Sequence, residues 1–180
     1  MASADNMARI DFDAAIGSGD EERIARTLDA IGRNGASLAE RSRIMELAKK
    51  TRSPVVRNAA AIALADLGVD GTDELLIDLI KRGETRGANG TLLYALREMN
   101  AHVPLSVLID ILTEDRTYEA LEGALDIIIN NAARYGAEEK AEAISRIKPL
   151  LASTVEHSLH TAKLAIKYLS RKSARRPRRR

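Results

Sequence analysis

A chain of 180 residues, 45% hydrophobic and 30% charged, is long enough for one or at most two compact domains and too apolar for a disordered polymer. Cysteine and tryptophan are absent and aromatics make up 3%, which excludes disulfides, thiolate metal sites and a cysteine nucleophile, and leaves Leu, Ile, Val and Ala to build the core. The formal charge of +2 is unevenly divided: the last ten residues, RKSARRPRRR, carry seven basic side chains and no acid, whereas the preceding 170 hold 21 basic against 26 acidic residues, a net of −5.

The N-terminal segment, residues 1–19, has no charged start followed by an apolar run, and no window reaches about 18 uninterrupted apolar residues. The expectation is a soluble, cytoplasmic chain without a transmembrane segment. From there helical periodicity runs nearly unbroken. Asp20 precedes EERIARTLDAIGRNG, with Ile24, Leu28 and Ile31 on one stripe, and Asn34 and Gly35 separate it from a helix opened by Ser37 and carrying Ile44, Leu47 and Ala48. Ser53 and Pro54 have the character of an N-cap and first turn for VVRNAAAIALADLG, which Gly68 ends. Thr72 caps DELLIDLIKRG, closed by Gly83. Further helices are predicted at about 86–99, 103–113, 116–134, 137–151 and 154–171.

These helices repeat in pairs. The first-helix triplet Ala60, Leu64, Leu67 recurs as Leu92, Leu96, Met99 and as Leu121, Leu125, Ile128, at offsets of 32 and 29; in the second helices Leu76, Leu79, Ile80 recur as Leu108, Ile111, Leu112, again 32 residues on. A helical pair that is apolar on more than one face must stack on its neighbours. Alanines 59, 60, 61 and 63 suit a helix lying close against a partner helix.

The stretch SPVVRNAAAIALADLG followed by a Leu-rich second helix resembles a HEAT repeat of the phycobilin-lyase type, closely over residues 53–82 and more weakly toward both ends. The resemblance implies an all-α fold, an α-α superhelix: a HEAT-type α-solenoid of about four helical pairs plus a C-terminal helix over residues 20–170; the composition of 171–180, with too few apolar residues to fold, adds the expectation of a basic disordered tail. The resemblance also implies that Val56 and Arg57 help to stack repeats, and that the protein is a non-catalytic scaffold whose second helices line a concave, partner-binding face.

On that geometry Glu46, Asp78 and Asp110, spaced by 32 residues, are equivalent and form a row, with Asp73, Glu74, Glu114 and Asp115 adding acid nearby. Such a row suits a protein or basic peptide partner; equally, Lys49, Lys50, Lys81 and Arg82 are placed to neutralise it. The tail residues Arg171, Lys172, Arg175, Arg176, Arg178, Arg179 and Arg180 suit phosphate contacts, so the alternative is an RNA- or DNA-binding protein with the solenoid as carrier. No aromatic in the tail interleaves for base stacking. The tail is also charged to fold back onto the acidic groove.

Catalytic signals are sparse. His157 and His160 are three apart on a predicted helix, but Glu156 is badly directed as a third ligand. The His-Glu pairs of deoxyhypusine hydroxylase and the aromatic pocket of HEAT-like DNA glycosylases have no counterpart, and no phosphate loop follows a strand; Gly87 and Gly90 mark a helix break. The expectation is therefore no catalytic residue, no metal and no cofactor.

Overall fold

The computed structural model describes residues 12–115 and 117–171. Among them are ten α-helices and no strand: α1 (Phe12–Ser18), α2 (Glu21–Asn34), α3 (Leu38–Lys50), α4 (Pro54–Asp66), α5 (Thr72–Lys81), α6 (Gly90–Glu98), α7 (Leu105–Glu114), α8 (Tyr118–Asn131), α9 (Ala137–Ile147) and α10 (Glu156–Leu169). The chain contacts fall into two compact units that divide between Leu76 and Ile77.

Local chemistry starts and stops most helices in the first unit. The Asp20 carboxylate accepts from Arg23 N–H at 3.0 Å, Ser37 and Glu40 form a reciprocal capping box, and Ser53 Oγ accepts from Val56 N–H at 3.3 Å. Gly68, at φ +58°, ends the turn after α4. The alanine-rich α4 packs on both α2 and α3. A Cβ on Gly32 of α2 would lie 3.1 Å from Ala63 Cα of α4, so a side chain at this crossing would force the two helices slightly apart. Ala60, Ala61, Ala63 and Leu64 are all buried there. Val56 and Arg57 are buried as well.

The segment preceding the first predicted helix contains one more, α1, which packs on α2. Phe12 and Ala15 are buried, the Arg43 guanidinium lies 5.1 Å over the Phe12 ring, and Arg43 also pairs with Asp13. That bond to Arg43 holds the Asp13 carboxyl below the usual carboxylate range.

In the second unit the helices pack two apart along the chain: α6 on α8, α8 on α10, and α7 on α9, with α7 also on α8 and α9 on α10. Two glycines set the α6–α8 approach. A Cβ on Gly90 would stand 2.7 Å from Glu119 Cβ, and one on Gly123 would stand 3.0 Å from Leu93 Cβ. Leu92, Leu93, Leu96, Leu108, Ile109 and Ile128 are fully buried at the centre, each contributing roughly 1.5–3 kcal/mol of transfer free energy.

Pro104 opens α7 without a side-chain cap of its own. Glu139 of α9 supplies one, accepting from Leu105 N–H at 3.2 Å while its other oxygen accepts from Gly136 N–H at 3.3 Å. Tyr135 is buried, and its hydroxyl donates to the Val103 carbonyl at 3.1 Å. Burial pushes that hydroxyl far above its ordinary pKa, with the Glu139 carboxylate adding to the shift.

Two predicted helices are shorter than their periodicity. The helix expected from residue 86 starts at Gly90, because Thr85 is buried with its hydroxyl donating to the carbonyls of Leu79 and Arg82 at 2.9 and 2.8 Å, which holds Gly83–Thr85 in a 3-10 turn. The helix expected to reach 151 ends at Ile147 and continues as a 3-10 turn over Lys148–Ala152, where Pro149 lacks the N–H an α-helix needs.

Candidate functional site

The sequence-predicted acids fall in both units. In the first, Glu46 on α3 is exposed and pairs with Lys50 at 2.9 Å and Lys49 at 3.2 Å. The hydrogen bonds from Lys50 and then Lys49 hold its carboxyl below the usual range. Asp73 and Glu74 stand in the first turn of α5, where the helix dipole favours carboxylates.

In the second unit, residues from α5, α7 and the segment between α5 and α6 enclose a cavity of about 360 Å³. Ile80, Val107 and Ile111 supply apolar wall; Lys81, Arg86, Asn89, Asp110, Glu114 and Asp115 supply the polar part. Two of the predicted site residues, Asp110 and Glu114, are therefore brought together here. Asp78, on the same helix as Lys81, is 4.0 Å from the Lys81 ammonium. The acids on this face are answered by cations: Asp110 accepts from Arg146 of α9 at 2.6 Å, and Glu114 pairs with Arg86.

Asp115 is buried and structural. One of its oxygens accepts from Thr117 N–H at 3.0 Å and Thr117 Oγ1 at 2.9 Å; the other accepts from Gly87 N–H at 3.4 Å and Asn89 Nδ2 at 3.3 Å. The Asn89 amide is turned with Nδ2 donating to Asp115. Asn89 is 3% exposed, and its Oδ1 has no hydrogen-bond partner.

A different surface runs along α10. His160, Lys163 and Lys167 are exposed and, at 100° per residue, fall within about 60° of one another around the helix. Arg171, one residue beyond the cap Ser170, extends the four-residue spacing. The Arg171 guanidinium lies 4.3 Å over the Tyr168 ring, and the Lys167 ammonium lies 6.0 Å from the same ring. Among the described residues, Lys163, Lys167 and Arg171 form no ion pair. The other predicted tail residues, Lys172, Arg175, Arg176, Arg178, Arg179 and Arg180, lie outside the described residues.

His157 of the EHSLH motif turns toward α8, stacking on Tyr118 at 4.4 Å between ring centroids with Nε2 3.7 Å from Glu122. Among the described residues no three of His, Asp or Glu gather as a metal site, and no helix is long and apolar enough to cross a membrane.

Comparison of the chain with protein-family models, with curated proteins and with solved structures finds no match.

Sequence reasoning did not single out Asn89 or Arg86 in the cavity, Arg146 as the partner of Asp110, nor Tyr168 on α10. For Tyr168 a signal existed: KYLSR places an aromatic directly after one cation and three residues before the next, the spacing at which helical side chains meet. For Arg146 there was none, since its partner Asp110 is 36 positions away.

Proposed function

We propose that this chain is a non-catalytic HEAT-type scaffold that binds a protein partner through its second-helix face, with a basic segment of that partner entering the cavity beside α5 and α7. Support for the repeat architecture comes from the 32-residue offset shared by first and second helices and from helices packed two apart along the chain. The observation that carries the binding reading is the cavity itself, whose lining brings the Asp110 and Glu114 carboxylates of α7 beside the apolar wall of Ile80, Val107 and Ile111. A lysine or arginine side chain brings only donors, and carboxylates only accept. At about 360 Å³ the cavity has room for one such side chain. Exposed ion pairs such as Asp110–Arg146 are weak enough for an incoming cation to exchange with the resident one.

The test is a fluorescence-anisotropy titration of the full chain with a panel of extended peptides bearing single lysines or arginines, followed by amide chemical shifts. Binding that moves resonances of α5, α7 and residues 85–89, and that weakens at least tenfold in Asp110→Lys and Glu114→Lys, supports the reading. Peptide binding that leaves those resonances still and is indifferent to both substitutions refutes it.

A second reading, nucleic-acid binding through Lys172 to Arg180, is favoured by the unpaired α10 cations that lead directly into that segment.

A further inference from the structure

We infer that the exposed edge of α10, centred on Lys163, Lys167 and Arg171, is itself a contact surface for the phosphodiester backbone of a nucleic acid, so that the folded repeat region takes part in binding and does not only carry the tail. The inference rests on the second reading above for the chemistry of the ligand; the residues and the surface are additional to it.

Three observations lead there. Elsewhere in the chain exposed cations commonly face carboxylates: Arg43 faces Asp13, Lys49 and Lys50 face Glu46, Arg86 faces Glu114, Arg97 faces Asp126, Arg146 faces Asp110. Along α10 this pattern stops. Its one carboxylate is Glu156, in the first turn where the dipole favours an anion, two turns of helix before Lys163. The cations left over therefore produce a net positive edge, which is what attracts and orients a polyanion.

The helix dipole accounts for part of this arrangement and not for all of it. A cation in the last turn is favoured by the C-terminal carbonyls, and Lys167 is so placed, but that effect fades within one turn. Lys163 lies six residues before the end of α10 and draws little from it. Tyr168 then gives the edge order: with Arg171 over one ring and Lys167 beside it, the guanidinium is held on an aromatic face while its N–H groups stay free for the two-pronged bonds that phosphate oxygens accept.

The partner class follows from what else the helix offers. Its apolar residues Ala162, Ala165 and Leu169 are buried and Leu159, Leu164 and Ile166 are half-buried, so the helix presents no fully exposed apolar stripe of the kind a membrane-lying helix uses. The sequence continues past Arg171 with six more basic residues and no acid, giving a continuous run of positive charge matched by the continuous charge of a nucleic-acid strand.

The experiment uses full-length chains throughout. Wild type is compared with Lys163→Gln/Lys167→Gln, with Lys163→Arg/Lys167→Arg, and with a tail-neutralised chain in which Arg175, Arg176, Arg178, Arg179 and Arg180 are Gln. Each is titrated with single-stranded RNA homopolymer, duplex DNA, poly-glutamate and phosphatidylserine vesicles across a range of salt, with thermal melts to show that the exposed substitutions leave the fold intact. The expected result is that the Gln pair loses about tenfold in affinity for nucleic acid at low salt and lowers the salt slope on duplex DNA by about 1.8; that the Arg pair restores both; and that the tail-neutralised chain retains salt-dependent binding which the added Gln pair removes. If tail neutralisation abolishes binding and the Gln pair changes neither affinity nor slope, the edge is a passive carrier and the inference falls, while nucleic-acid binding through the tail stands. If no nucleic acid binds the wild-type chain, or only poly-glutamate or vesicles do, both fall together.

Discussion

The outer edges of α7 and α10 are built from similar material and behave in opposite ways. Asp110 and Glu114 are four residues apart on α7, as Lys163 and Lys167 are on α10, and both pairs are exposed enough to meet a partner. On α7 each carboxylate has drawn a cation from another part of the fold, Arg146 from α9 and Arg86 from the segment before α6, so little net field remains. On α10 no carboxylate answers the lysines among the described residues. Charge counted along a sequence therefore says where ions can be, and the fold decides where they remain uncompensated.

The strongest way to break the comparison is to remove the ground both edges stand on. α8 packs against α7 and α10 alike, and Leu125 of α8 is 2% exposed; Leu125→Ala is expected to cost about 2–5 kcal/mol and to weaken both surfaces together, read by chemical denaturation and by each binding assay. A variant that kept full stability would mean α8 is not the shared support.

A more selective cut is Asp115→Ala. It withdraws the acceptor for Gly87, Asn89 and Thr117 and is expected to cost about 1–3 kcal/mol, with hydrogen-exchange protection lost at residues 87–89 and nucleic-acid affinity at α10 unchanged. Equal loss at both edges would show that they are coupled.

Tyr135 offers a pH handle beneath α7. Its folded pKa lies above the unfolded value of about 10, so the folded state holds the proton more tightly than the unfolded chain. The stabilisation from the neutral hydroxyl is fully present below pH 10 and declines as pH rises beyond it. Tyr135→Phe is expected to cost about 1 kcal/mol at neutral pH through the lost bond to Val103, and to show a shallower alkaline decline than wild type. Parallel alkaline profiles would assign that decline to other groups.

The smallest expected change is the most informative about charge. Asp110→Asn frees Arg146 at a stability cost of no more than about 1 kcal/mol, since the pair is exposed. It should turn the α7 edge toward the behaviour of α10, with measurable weak binding of RNA homopolymer at low salt that the wild-type edge lacks. If the substitution adds no such binding, pairing is not what separates the two edges.

Much of the fold was legible because its causes are local. Asp20, Ser37 and Ser53 cap their helices through bonds three residues long, Pro54 and Gly68 act through their own backbone preferences, and the triplets Ala60, Leu64, Leu67 and Leu92, Leu96, Met99 mark core faces by spacing alone. α1 escaped notice because Phe12 and Ala15 are too few for a stripe, and what buries them, α2 and Arg43, lies elsewhere in the chain. For the candidate site, Asp110 was readable from the repeat offset and Glu114 only as further acid close to it in the sequence. Asn89 read only as part of a helix break, since nothing in GANG says that its amide meets Asp115 twenty-six positions later.

By itself the sequence determined the helical class, the caps of α2, α3 and α4 and the separation of an acidic body from a basic end, since each depends on residue type and short spacing. Tertiary structure alone decided which acids are spent on internal ion pairs, how Gly90 and Gly123 let α6 and α8 approach, why α7 is capped by Glu139, and that the α10 lysines keep their charge uncompensated. Those outcomes depend on side chains about 30 positions apart or more meeting within a few ångströms, and only the packed fold sets such distances.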